Sequence, residues 1–67
     1  MAVLKVIEVL AESSTSWEDA AREAVKEASR TVRGIRSIYV ENFQATVSDG
    51  DIDKFRINAK ITFTVEK

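Results

Sequence analysis

The chain has 67 residues, a formal net charge of -1, 45% apolar residues, and neither cysteine nor histidine. This composition excludes disulfides, removes the usual ligands of a structural zinc, and lacks the basic excess that favours nucleic acid or an anionic membrane surface. A chain this short buries only about 60% of its unfolded surface, so we expect residues 1–67 to form one domain that further copies stabilise.

The first predicted element is a strand over residues 2–10, AVLKVIEVL, because the segment is rich in β-branched residues. Polar residues interrupt both of its sides, which indicates one buried face and one partly covered face. One side carries Val3, Lys5, Ile7 and Val9, and the other carries Leu4, Val6, Glu8 and Leu10.

An amphipathic helix follows, for which Ser16 is the predicted N-cap. Arg30 and Arg33 fall in its expected last turn, and Gly34 fits the left-handed position that ends a helix. The apolar stripe is mostly alanine, so the helix can lie close to a sheet. Its members are Trp17, Ala20, Ala21, Ala24, Val25, Ala28 and Val32.

Two further strands are predicted, joined by a turn that contains Asp-Gly. The second strand runs from Ile35 to about Ser48, and the third covers residues 54–66, KFRINAKITFTVE, with strict alternation. The order β-α-β-β predicts an α+β fold. In it, the helix packs on the face of a three-stranded antiparallel sheet that carries Phe55 to Val65.

The second face of this sheet has no predicted cover within the chain. It presents Ile38 and Val40, or else Tyr39, beside the threonines and the arginine of the third strand. Exposed apolar patches of this kind mark interaction surfaces. We therefore expect another copy of the chain to cover the patch, in a closed symmetric assembly.

The segments KVIEVLAESSTSWEDA, ASRTV and FRINAKITFTVE, in this order and spacing, resemble the dodecin family over nearly the whole chain. The resemblance implies a homododecameric hollow shell of small β-α-β-β subunits. It also implies storage or sequestration of a small ligand and no enzymatic turnover. The best-known dodecins bind flavins in pairs between subunits, so riboflavin or its phosphate FMN is one implied ligand.

Two positions depart from the flavin-binding pattern of that family. A tryptophan that stacks on the flavin ring is replaced by Ser37, and a glutamine that hydrogen-bonds the ring edge is replaced by Arg56. Serine has no π-face, and a guanidinium only donates hydrogen bonds. The arginine and the helix-opening SWE resemble the flavin-free calcium dodecins, which favours calcium. The candidate pocket comprises Ser37, Tyr39, Arg56 and Asn58.

A candidate metal site lies in the turn between the last two strands. Asp49, Asp51 and Asp53 alternate there, and carboxylates spaced in this way can converge on a hard cation such as calcium. Lys54 and Lys60 occupy the places where a full EF-hand loop needs glycine and glutamate. The alternative interpretation is an acidic hairpin tip that is only solvated.

A polar strand face allows two further interpretations. Arg56, Asn58 and Lys60 share this face, which suits a phosphate or carboxylate if the face lines a pocket. They can instead pair across strands or subunits with Glu8 or Glu41.

Three hypotheses of function follow. The first is a non-enzymatic dodecameric shell that binds a small ligand, with calcium favoured. The second is a flavin store in which Tyr39 replaces the missing tryptophan, and the third is a structural interaction module without a small ligand. Histidine and cysteine are absent and no serine lies on a recognisable nucleophile turn. We expect a cytoplasmic protein whose main partners are its own copies, without nucleic acid or membrane.

Overall fold

The computed structural model describes residues 2–65 and shows the predicted β-α-β-β order. The elements are β1 (Leu4–Ser13), α1 (Trp17–Ala28), β2 (Ile35–Ser48) and β3 (Asp51–Thr64). The strands form one antiparallel sheet in the order β1-β3-β2, and α1 lies on one face of it. Within the described part of the chain, no helix has the length and apolar content to cross a membrane.

The core lies between α1 and the central strand β3. Ile57 and Ile61 of β3 are fully buried, as is Ala20 of α1. Small residues on the helix, such as Ala20 and Ala24, let it lie close to the sheet, as the sequence indicates. The predicted packing face of β3 is therefore confirmed, although Glu66 at its predicted end lies outside the described residues.

The start of α1 is capped as predicted. Ser16 has an extended backbone, and its side chain accepts a hydrogen bond of 2.9 Å from the backbone N–H of Asp19. The hydroxyl of Ser13 donates to the carboxylate of Asp19 at 2.7 Å, which joins the end of β1 to the first helical turn. Both contacts satisfy polar groups at a helix terminus and fix the angle at which the chain enters α1.

The predicted end of the helix was wrong by more than one turn. α1 ends at Ala28, and the backbone N–H of Arg30 and Thr31 bonds instead to carbonyls three residues earlier. Gly34 does have a positive φ of 74°, but it lies at the entry to β2. There its carbonyl accepts from the backbone N–H of Thr64 at 2.9 Å, and the positive φ at this entry, not a helix cap, favours the glycine.

The hairpin turn is shorter than the sequence suggested. Asp49 and Gly50 have φ values of 52° and 80°, and Ser48 pairs with Asp51. Positive φ at both central residues is the signature of a two-residue type I′ turn. Asp51 and Asp53 therefore belong to β3, which begins three residues before its predicted start at Lys54.

Irregular pairing in β2 explains the mixed alternation of its sequence. The register with β3 shifts between Ile35 and Ser37 and again between Val40 and Asn42. Extra residues at such bulges change which face the following side chains occupy. Val40 packs against the core below α1 together with Ile38, and Tyr39 is the residue that the opposite face presents.

Candidate functional site

The candidate site is the face of the sheet that α1 does not cover, called here the open face. Cross-strand partners in an antiparallel sheet project to the same face, so the register defines its rows. From one end to the other, the rows across β1, β3 and β2 are Val6–Thr62–Ser37, Glu8–Lys60–Tyr39, Leu10–Asn58–Asn42 and Glu12–Arg56–Gln44.

Large apolar side chains lie exposed on the open face. Leu4, Val6 and Leu10 of β1 are 53%, 55% and 58% exposed, and Tyr39 of β2 is 64% exposed. Glu8 lies between Val6 and Leu10, and Lys60 lies between β1 and Tyr39. Several large apolar side chains exposed on one face of a sheet indicate an interaction surface. The second face is therefore uncovered within one chain, as expected from the sequence, and of the two alternatives for β2 it presents Tyr39 and not Ile38 and Val40.

The guanidinium of Arg56 is held by a residue that the sequence did not reveal as its partner. Its Nε and one terminal nitrogen lie 3.1 Å and 3.0 Å from Oε1 of Glu12. The two side chains are about a third and somewhat under half exposed. Glu12 was not predicted because the register between β1 and β3 depends on long-range packing, which has no local sequence signal.

The neighbouring polar residues form contacts within the same face. Nε2 of Gln44 donates to Oδ1 of Asn58 at 3.1 Å, and Nζ of Lys60 lies 3.8 Å from Oε1 of Glu41. Pairing between Lys60 and Glu41 was one of the sequence alternatives. Glu8 on β1 is the cross-strand neighbour of Lys60 on β3. Glu41 lies on β2, on the other side of β3, so Glu8 and Glu41 are not on adjacent strands.

The four predicted pocket residues share the open face but occupy two separate positions on it. Ser37 lies opposite Thr62, six residues along β3 from Arg56. At about 3.4 Å per residue this is roughly 20 Å. Tyr39 and Asn58 are diagonal neighbours, because Tyr39 pairs with Lys60. One chain thus does not bring Ser37 and Arg56 together, and a pocket that uses both needs a second copy.

The three aspartates of the candidate metal site are not gathered by the fold. Asp49 lies in the turn, and Oδ2 of Asp53 is 3.8 Å from Nζ of Lys54. Among residues 2–65, no group of three or more acidic side chains is close enough to hold a metal ion. A calcium ion takes six to eight oxygen ligands, so a site here requires oxygens from outside one chain.

Trp17 lies on the opposite side of the sheet from the candidate pocket. Its indole N–H donates to the backbone carbonyl of Gln44 at 2.8 Å. Its ring meets Phe43 and Phe55 edge-on, with centroids 5.8 Å and 4.9 Å away. The residue anchors the start of α1 to the hairpin, which agrees with its predicted place on the apolar stripe of the helix.

Two grooves run along the sides of α1. The β1 groove has a volume of about 530 Å³, and Glu12, Glu23 and Glu27 line its rim. The β2 groove has a volume of about 440 Å³, with an apolar floor that includes Val25 and Ile38. Its rim differs in charge, because it is formed by Glu18, Arg22 and Lys26.

One pair on the rim of the β2 groove is tightly bonded. Arg22 donates to Glu18 at 2.6 Å, one helical turn away. This hydrogen bond, together with the charge of Glu18, raises the pKa of Arg22 above its ordinary value. Both side chains are well exposed, so solvent screens the pair and its contribution to stability is small.

Comparison with known proteins identifies similar sequences and folds. Residues 3–66 match the family model of the dodecins. The chain is 42% identical over 64 residues to the calcium dodecin of Mycobacterium tuberculosis, covering 94% of this chain and 89% of that protein.

Solved structures show the same fold. The crystal structure of the calcium-chelating antigen calcium dodecin from Mycobacterium tuberculosis, described as having a novel calcium-binding site, matches with a TM-score of 0.83 and 38% identity. That match covers 96% of this chain and 91% of the other. The dodecin from Streptomyces coelicolor matches with a TM-score of 0.94 and 27% identity, over 98% of this chain and 94% of that one.

Proposed function

The chain belongs to the dodecin family, and on this premise we propose that it is a non-enzymatic protein that binds a small ligand within a homododecameric shell. We propose calcium as the ligand in preference to flavin. The observation that carries the choice is the chemistry of the open face, where Ser37 and a paired Arg56 replace the stacking and edge-binding residues of flavin-binding dodecins.

Assembly into a shell is supported by the open face itself. Its apolar side chains, Leu4, Val6, Leu10 and Tyr39, are each more than half exposed in one chain. The chain has no cysteine or histidine to stabilise so small a core by other means. A neighbouring copy that covers the patch removes this apolar surface from water, which stabilises the subunit by the hydrophobic effect.

Weak flavin binding follows from the state of Arg56. Its guanidinium faces Glu12 at 3.0 Å and only donates hydrogen bonds, so it offers nothing to the donor groups of a flavin ring. Ser37 provides no aromatic surface. The stacking lost with each tryptophan is worth about 0.5–1.5 kcal/mol beyond burial.

Calcium is supported by similarity to a protein named for calcium binding and by the carboxylates of the hairpin. We propose Asp49, Asp51 and Asp53 as the ligands that this chain contributes. Because one chain does not gather three acidic groups among its described residues, the site takes its remaining oxygens from a neighbouring copy. Calcium affinity then depends on assembly.

Flavin storage is the second candidate, and Tyr39 favours it. This side chain is 64% exposed on the open face and lies diagonal to Asn58, a side chain that both donates and accepts hydrogen bonds. A tyrosine ring can stack on a flavin as a tryptophan does, with less area.

Titration of purified, ligand-stripped protein tests both candidates. Calcium is added in a calorimeter, and riboflavin and FMN are titrated separately while their fluorescence is followed. We expect saturable calcium heat and little quenching of flavin. Strong quenching that saturates at one flavin per one or two chains, without a calcium signal, overturns the preference for calcium. An assembly that binds neither indicates the structural module.

A further inference from the structure

The hairpin of β2 and β3 continues past the start of α1. Trp17 begins the helix and contacts Phe43 and Phe55, so residues 46–53, called here the hairpin tip, extend beyond it. A helix of 12 residues is about 18 Å long, whereas the longest dimension of the molecule is 51 Å. The fold thus leaves the hairpin tip without a helix to cover it.

The hairpin tip carries an apolar pair on the side of the sheet that faces the helix layer. Val47 and Ile52 are cross-strand partners and are 69% and 55% exposed. The register shifts between Thr46 and Val47, but the extra residue, Asp53, is on β3. Alternation along β2 from Ala45, which lies opposite Phe55, therefore places Val47 on this side. The charged residues near the pair in the sequence are mainly acidic. Three are aspartates, Asp49, Asp51 and Asp53, and one is basic, Lys54.

The β2 groove is complementary to this tip in apolar character and in charge. Its floor is apolar and includes the small residue Ala21, which allows a side chain to approach closely. On its rim Glu18 is neutralised by Arg22, and Lys26 has no ion-pair partner among the residues described. The rim of the β1 groove is acidic and repels the tip.

We propose that the hairpin tip of one copy docks in the β2 groove of a second copy, with its apolar pair against the groove floor and its carboxylates toward Lys26. The second copy is the occupant because both complementary surfaces are on this chain, and the tip extends away from its own helix. Such an interface joins two different surfaces, so it continues from copy to copy until the assembly closes. The inference rests on the proposed homo-oligomer and names one of its contacts.

Two variants and two matched controls test the contact. Ile52→Lys places a charge in the apolar contact, and Lys26→Glu reverses the charge of the rim. Ile52→Val keeps the apolar character, and Glu23→Lys changes a charge on the other groove. All are studied with EDTA, so that calcium at the tip does not contribute, and far-UV circular dichroism checks that each chain is folded.

Sedimentation over a dilution series measures the protein concentration at which half of the assembly has dissociated. For Ile52→Lys and Lys26→Glu we expect this concentration to rise on the order of tenfold or more, and for the two controls to stay within about twofold of the original. If the wild-type chain assembles and neither variant raises this concentration, the docking contact is wrong while the proposed oligomer stands. A wild-type chain that sediments as a monomer overturns the proposed oligomer and the contact together.

Discussion

Arg56 is an arginine whose charge is satisfied within one chain. Its charge has a partner on the same chain, Glu12, so the arginine needs no anionic ligand to remain stable on the open face. The pair is partly exposed, and pairs of this kind contribute between 0 and about 1 kcal/mol. Replacing Arg56 should therefore change the free energy of unfolding little, so the position is suitable for a test that aims to increase flavin affinity.

We predict that Ser37→Trp combined with Arg56→Gln increases flavin affinity at least tenfold, the equivalent of about 1.4 kcal/mol. The tryptophan restores a stacking surface and the glutamine restores both a donor and an acceptor. Quenching of riboflavin fluorescence measures the change. Arg36→Gln is the matched control, because Arg36 lies at a bulge of β2 away from the Arg56 row. Unchanged affinity in the double variant contradicts the assignment of these two positions.

Trp17 is the residue whose loss we expect to weaken the fold most selectively. Trp17→Phe removes the 2.8 Å hydrogen bond to the carbonyl of Gln44 and part of the contact with the two phenylalanines. The expected loss is about 1–2 kcal/mol in the free energy of unfolding. Urea unfolding at one fixed protein concentration measures it. Glu23→Gln, at an exposed helix position, is the control and should leave the midpoint unchanged.

At the scale of elements, two glycines have the same backbone conformation and different surroundings. Gly34 and Gly50 have φ values of 74° and 80°, but an added Cβ meets Thr64 at 3.4 Å only at Gly34. We predict that Gly34→Ala and Gly50→Ala each cost about 1 kcal/mol from backbone strain, because 3.4 Å is the lower edge of ordinary van der Waals contact. Thermal unfolding of the two variants, side by side, compares the two losses. A loss at Gly34 several times that at Gly50 contradicts this prediction and indicates a steric clash with Thr64.

The elements themselves were largely predictable from the sequence, since their signals are local. The alternation around Ile57 and the cap at Ser16 each predicted what the structure shows. The end of α1 was missed because Val32 continues the apolar period beyond the last helical turn, which lies at Ala28. The sequence did not decide which face of the sheet Tyr39 occupies. That face depends on the bulges of β2, which form only when β2 pairs with β3.

The candidate site was predictable only in part, for the same reason. Alternation put Ser37 with Tyr39 on one side of β2 and Arg56 with Asn58 on one side of β3, and the register shows that these two sides belong to the same face. Their separation into two positions, and the partner Glu12, depend on the register between strands far apart in the sequence. Which copies join these positions is a property of the assembly.

For the whole molecule, we predict a homogeneous assembly of about 90 kDa, twelve times the 7.5 kDa of one chain. The exposed apolar residues of the open face supply the physical reason. Light scattering on the eluate of a gel-filtration column measures the mass. Leu10→Glu should reduce it, since Leu10 is 58% exposed on that face, while Lys5→Glu on the opposite side of β1 should not. A monomer for the unaltered chain contradicts the assembly.

The position of β3 has a consequence for biosynthesis. β3 is the central strand of the sheet, and it comes last among the elements. Ile57 and Ile61, the largest fully buried side chains, both lie on it. While β1 and α1 leave the ribosome, they have no central strand to pair with and no core to bury. Folding must therefore wait until β3 has been synthesised, and a nascent chain stalled before residue 57 should remain sensitive to protease along its whole exposed length.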